Sequence, residues 1–175
     1  MSSPKLTPFS YVVLTLVGES GAGAHDLVRM MRDGRIYWTA PESQYYAEPK
    51  KLAQAGYLSA TTQPGRTHSR THYTLTDDGR QALREWLATP MPFPRIQSEP
   101  VVRLLGGEYA DRGELLASLN ALRKDLDELD ASLRAAEARE QGLPRRATAL
   151  RLNRRLAQRI IDAHREWLEE VQAEL

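Results

Sequence analysis

The 175-residue chain has no cysteine. That absence excludes disulfide staples, thiolate metal sites and cysteine nucleophiles, and leaves the redox compartment open. Long apolar runs are also missing. The stretch Val12 to Val17 is far shorter than the roughly 20 residues a membrane span needs, and the start lacks the ordered charged, apolar and small-residue regions of a signal peptide. A cytoplasmic protein is therefore the expectation. Charge of either sign is scarce in the sum: the net charge is +1, with ten basic and eight acidic residues up to Thr89 and a slight acidic excess beyond. Any electrostatic partner must be sought in local clusters.

Histidines number only four. His68 and His72 stand four apart, but a metal needs two or three more ligands, and His25 and His164 belong to other predicted helices. His25-Asp26 has no nucleophile, glycine elbow or oxyanion loop near it, so it reads as a polar helix face. Gly18, Gly21 and Gly23 follow a helix, with no strand before them and no Walker lysine, which argues against a phosphate loop. Neither cofactor, metal nor catalytic residue is expected.

What the chain does contain is ordinary for globular domains, 41% apolar and 27% charged residues. Its most informative stretch is Pro41 to Leu58. Wound as a helix, it gathers Tyr45, Tyr46, Pro49, Leu52, Ala53 and Gly56 on one side and Ser43, Gln44, Ala47, Lys50, Lys51 and Gln54 on the other. Thr39 and Glu42 have capping-box spacing, Pro41 suits a first turn, and Gly56 supplies the stop. The polar face offers two lysines for phosphates and an amide and a hydroxyl for base edges.

Around it, Thr7-Pro8 opens a first helix, with Phe9, Val12, Val13, Leu16 and Val17 at helical spacing up to about Gly18. Glu19 to Gly23 reads as a turn, and Leu27, Val28, Met30 and Met31 mark a second helix ending near Gly34. After the central helix, Leu58 to Gln63 and Arg70 to Thr76 read as paired strands joined through Pro64-Gly65, with Tyr73 and Leu75 inward. Their loop carries Arg66, His68, Arg70 and His72 and no acid. Thr76 caps a further helix whose expected buried face is Leu83, Trp86 and Leu87. Three helices, two strands and a helix in this order make a winged helix-turn-helix, whose third helix enters the major groove.

Proline at every second residue from Pro90 to Pro94 forces a stiff, extended joint. Beyond it, Leu115, Leu119, Leu122, Leu126, Leu129, Leu133 and Ala136 form a heptad seam about 32 Å long. Gly142-Leu143-Pro144 then turns the chain into a last helix. There Leu152, Leu156, Ile160, Ala163, Trp167 and Val171 are expected to cover the seam. Leu150, Ala157, Ile161, Leu168 and Leu175 widen the apolar arc beyond what one neighbour buries, so a second copy is needed. Arginines crowd the start of this helix and glutamates its end, against the helix dipole. The arginines should meet acids such as Asp125, Asp127, Glu128 and Asp130, or DNA.

The expected architecture is mainly α with a small two-stranded β wing. It divides into a DNA-binding domain over 1–89, a Pro-rich linker over 90–97 and a helical dimerisation region, an antiparallel helix pair, over 98–175. Leu156, Ile160, Ile161, Trp167, Leu168 and Val171 are the candidate dimerisation residues. Trp38, Trp86 and Trp167 are read as buried aromatic core rather than a drug pocket.

The segments SQYYAEPKKLAQAGYL from Ser43 and RTHYTLTDDGRQALREWL from Arg70, with the Pro-rich joint and leucine-rich tail, resemble the PadR-like transcriptional regulators, specifically the longer members with a helical C-terminal region. The resemblance implies a homodimer that binds a pseudo-palindromic operator in double-stranded DNA and usually represses, with release in some members by phenolic or other small aromatic ligands. By position it implies groove or phosphate contacts at Ser43, Gln44, Tyr46, Lys50 and Lys51, and wing contacts at Arg66 and Arg70. Pro49 departs from the helix-former usual there; it removes a bond to the Tyr45 carbonyl and should kink the helix. The rival reading is a winged-helix module that binds protein rather than DNA. An enzyme is a distant third, since no nucleophile, base and orienter converge.

Overall fold

A computed structural model describes residues 5–64, 69–140 and 145–175. It divides into two compact units, Met1–Pro92 and Phe93–Leu175. Arg66, His68 and Gly65 of the wing loop and the Gly142-Leu143-Pro144 break lie outside the described residues.

In the first unit, α1 (Pro8–Val17) starts at Thr7, whose hydroxyl accepts from the Ser10 N–H while the Ser10 hydroxyl accepts from the Thr7 N–H. Next come α2 (Ala24–Asp33) and α3 (Glu42–Gln54), then the wing strands, here β2 (Leu58–Gln63) and β3 (Arg70–Leu75), and α4 (Asp77–Leu87). The turn expected before α2 holds a short strand, β1 (Ala22–Gly23), which pairs antiparallel with β3 at Tyr73 and His72. The sheet thus has three strands in the order β1-β3-β2. Gly21 makes this return at φ +72°, a left-handed conformation that glycine adopts without steric cost, and a Cβ there would lie 2.3 Å from His72.

Leu14, Val17, Leu27, Leu52, Leu58 and Tyr73 form the core that these elements share. Trp86 of α4 stacks on Tyr11 of α1 with ring centres 4.8 Å apart. Two expectations about this unit need correction. Leu87 is exposed rather than buried, because it falls a further 100° round α4 from Trp86, away from α1. Trp38 is likewise 37% exposed and not core.

The second unit contains α5 (Glu99–Leu105), a 3-10 turn (Gly107–Tyr109), α6 (Arg112–Asn120), α7 (Leu122–Glu140) and α8 (Ala147–Glu174). The heptad seam is thus shared by two helices. At Ala121 the ladder tightens, with the Lys124 N–H bonding the Ala121 carbonyl 3.3 Å away. Leu115, Leu119, Leu126, Leu133 and Ala136 are buried as the seam requires.

The face of α8 that covers the seam is only partly the one expected, with Val171 the one fully buried member of the expected row. Ala157, Ile161, Leu168 and Val171 are buried, whereas Leu152 and Leu156 are 53% and 51% exposed. Two apolar rows run along α8 and their period is the same, so periodicity has no means of choosing between them. Ion pairs flank the row that turns inward: Arg154 reaches Glu137 at 3.2 Å, and Arg165 reaches Asp127 at 2.8 Å and Asp130 at 3.4 Å. Of the candidate dimerisation residues, Ile161, Leu168 and Val171 are consequently core of the protomer. Antiparallel packing also corrects the expected arginine pairing. The first half of α8 runs beside the end of α7, so Asp127 and Asp130 are met by Arg165, late in α8.

Asp130 is 6% exposed. Its carboxyl is held below the usual aspartate range chiefly by the hydrogen bond from Arg134, with Arg165 assisting and burial opposing. A depressed folded value gives stability that is fully present above the unfolded pKa, about 3.9, and is lost as pH falls through the lowered folded value. Asp130→Asn should therefore cost about 1.5–3 kcal/mol at pH 7, the worth of hydrogen bonds to a charged group. The gap from the parent chain should close as pH falls below about 4. Urea denaturation across pH 3 to 7 measures both.

Candidate nucleic-acid interface

The exposed side of α3 is built by what its other side must do. Tyr45, Pro49 and Leu52 are buried and Tyr46 and Ala53 half-buried, and this row packs on α1, α2 and the start of β2. Ser43, Gln44, Ala47, Lys50, Lys51 and Gln54 are left facing outward, all exposed. The predicted division holds for the residues of the helix itself, while Gly56, expected on the packed side, lies beyond its end and is exposed.

The N-terminus departs from the expected capping box. Pro41, with extended backbone, is the N-cap and makes no side-chain bond. The Glu42 carboxylate turns to Arg32 of α2 at 3.2 Å, and the Tyr45 hydroxyl accepts from the Ala40 N–H at 3.0 Å. The other end follows the expected stop closely. Gly56 takes φ +85°, its N–H bonds the Ala53 carbonyl, and the Tyr57 N–H reaches back to the Leu52 carbonyl at 2.9 Å. These two bonds make a Schellman cap. The helix runs unbroken through Pro49, whose ring is among the fully buried side chains. Burial on the packed side makes the ring compatible with an open outer face.

Electrostatics sharpen the contrast between the faces. The two carboxylates of α3 are both engaged, Glu42 with Arg32 and Glu48 with the buried Ser10 hydroxyl, which donates to it at 2.6 Å. Among the described residues neither Lys50 nor Lys51 has an ion pair. The outer face is therefore a local positive patch on a nearly neutral chain.

The hinge between α3 and the wing is clamped by the start of α4. The Thr76 hydroxyl donates to the Gly56 carbonyl at 2.7 Å and accepts from the Gly79 N–H at 3.0 Å, while the Thr76 N–H donates to the Tyr57 carbonyl. Gly79 is pressed so close that a Cβ there would lie 2.1 Å from the Tyr57 carbonyl oxygen. From this hinge β2 and β3 run in register out to the pair Gln63 and Arg70. Arg70 is exposed at the outer end of the wing.

Sequence reasoning sent the Tyr46 hydroxyl toward a phosphate. In the structure it lies 3.4 Å from His25 Nδ1, with the rings edge to face at 5.8 Å. His25 is exposed in the first turn of α2, the helix that crosses the backbone in a helix-turn-helix, and so joins the candidate surface. Its only sequence signal was that position. Among the described residues no group of acids and histidines could hold a metal ion, and no helix is long and apolar enough to cross a membrane.

No family model matches the chain. Its sequence is 34% identical over 87 residues to the negative transcriptional regulator PadR of Bacillus subtilis, covering 48% of this chain and 47% of that protein. It is 27% identical over 128 residues to a probable transcriptional regulator of Mycobacterium tuberculosis, covering 66% and 67%. The chain thus matches less than half the length of the first relative. In structure it resembles Bacillus subtilis PadR in complex with operator DNA, with TM-score 0.80 and 22% identity over 96% of this chain and 99% of the other. The same protein in complex with p-coumaric acid superposes with TM-score 0.63 at 20% identity, over 94% and 98%. In sequence over about half of its length, and in fold over nearly its whole length, this chain is PadR-like.

Proposed function

We propose that this chain is a sequence-specific DNA-binding transcriptional regulator, a repressor that acts as a homodimer on a pseudo-palindromic operator. The observation that carries the reading is the outer face of α3, where exposed Ser43, Gln44, Lys50 and Lys51 surround the small Ala47 and both helix carboxylates are turned away. Lysines serve phosphates, and the hydroxyl and amide serve base edges at close approach. Arg70 on the wing adds a backbone contact; Arg66 is assigned the same role from its place in the sequence.

Support for repression comes from the negative regulator PadR, and support for a small aromatic ligand from the p-coumaric acid bound to that protein. A dimer brings two α3 helices to half-sites about 34 Å apart, one turn of the duplex. The test is binding to the DNA upstream of the chain's own gene, against a scrambled duplex of equal length and across a salt series. Specific binding should exceed non-specific by about a thousandfold or more. Equal, salt-insensitive binding to both duplexes would instead favour a protein-interaction module.

A further inference from the structure

We propose that His25 and Tyr46 together hold one phosphate of the DNA backbone, and that protonation of His25 assembles this contact, so that affinity rises as pH falls from about 8 to about 6. This rests on the DNA-binding reading of α3 and adds to it a further contact residue and a control by pH.

Packing holds the pair in place. Tyr46 is half-buried against the cluster of Val28, Met31 and Tyr45, where α2 meets α3. Its ring meets that of His25 edge to face with centroids 5.8 Å apart, and its hydroxyl lies 3.4 Å from Nδ1. His25 is exposed, and among the described residues its Nε2 has no hydrogen-bond partner. Lys50 stands one turn beyond Tyr46 on α3, about 6 Å along the axis, and is exposed.

The hydrogen-bond count ties this contact to a proton, because phosphate oxygens accept. With the neutral imidazole protonated at Nε2, Nδ1 accepts the Tyr46 O–H, and the Nε2–H is the one donor left over. With the proton at Nδ1 instead, the tyrosine O–H is released, but Nε2 then presents a lone pair. Each neutral tautomer therefore offers a phosphate a single donor. In the cation, Nδ1–H holds the tyrosine oxygen while Nε2–H and the Tyr46 O–H are both free to donate, and the ring carries a positive charge.

The charges around the pair leave room for an anion. On α2, the Asp26 carboxylate accepts from the Gly23 N–H at 3.2 Å and from Arg29 at 2.9 Å. On α3, Glu42, one turn before Tyr46, is paired with Arg32. Lys50 has no ion pair among the described residues, and α1 carries no acidic or basic side chain. On the sheet side, β1 pairs through Gly23 with His72 of β3. No carboxylate near the pair is thus without a partner of its own, and a bound phosphate supplies the counter-charge to both His25 and Lys50. Proton uptake and DNA binding then favour each other, as linked equilibria must.

The test is the affinity of the full chain for the DNA upstream of its own gene and for a scrambled duplex, at about pH 6 and about pH 8 and fixed salt. The parent should bind both duplexes at least about tenfold more tightly at the lower pH, the worth of hydrogen bonds to a charged group. The gain should be the same for both, since phosphate contacts carry no sequence information. His25→Gln should lose it. His72 contributes its own titration equally to parent and variant, so the difference between them isolates His25. Tyr46→Phe, which retains the packed ring, should weaken binding more at pH 6 than at pH 8, because only the protonated pair uses both donors. Identical pH profiles for the parent and His25→Gln, a Tyr46→Phe loss equal at both pH values, or a gain confined to the upstream DNA would overturn the contact while leaving DNA binding by α3 in place. A parent chain that binds neither duplex at either pH would remove the regulator reading as well.

Discussion

Gly79→Ala should destabilise the first unit by about 1–3 kcal/mol or more, the cost of forcing an extra group into a packed site. The sign is the informative part. Gly79 lies in the first turn of α4, and helix propensity alone makes alanine better than glycine by about 0.8–1 kcal/mol. The structure reverses that preference, because the added Cβ would stand 2.1 Å from the Tyr57 carbonyl oxygen. Backbone is on the other side of this contact, so neither partner can rotate away. Relief requires α4 to withdraw from the α3–wing hinge, which strains the Thr76 bonds to Gly56 and Tyr57. Urea denaturation in a Trp167→Phe background leaves Trp38 and Trp86 as reporters of this unit. A midpoint at or above that of the parent would show that the close approach does not constrain the fold. The same variant should also weaken specific DNA binding, since the hinge sets how α3 and the wing are presented together.

The second large effect concerns affinity. With Lys50→Ala and Lys51→Ala combined, the slope of log affinity against log salt should become shallower by about one for each phosphate contact removed, hence by about four for a dimer. The loss should be similar for operator and scrambled duplex, because phosphate contacts position without specifying. Gln44→Ala should behave differently, lowering affinity for the operator alone by about 1–3 kcal/mol, the worth of a good base-edge contact. A double lysine variant with an unchanged slope would place the DNA elsewhere on the surface and remove α3 from the recognition role. Both sets of residues are exposed, so stability should change by no more than about 0.5 kcal/mol.

Much of this could be read along the chain wherever local chemistry decides. The stop at Gly56 was legible because a left-handed residue needs glycine, and Thr76 because an N-cap needs a short side-chain acceptor. The two faces of α3 followed from a period of 3.6 residues against a single stripe of apolar side chains. The capping box at Thr39 and Glu42 did not form, since Glu42 had a better partner in Arg32, ten residues back and on another helix. Strand β1 was hidden because two residues, Ala22 and Gly23, carry no alternation to detect; only pairing with β3 defines them. His25 was set aside as a polar helix face, and only the packing of α2 on α3 brings it to Tyr46.

The chain by itself determined the order of the helices and wing strands in the first unit, the caps at Thr7, Gly56 and Thr76, and the polar face of α3, since each depends on neighbours within about four residues. Tertiary structure alone decided which of the two apolar rows of α8 turns inward, where its arginines find acids, and why Gly79 must remain glycine. Those outcomes depend on the register between elements distant in sequence. Register is chosen by side chains and carbonyls that meet only after the chain has folded.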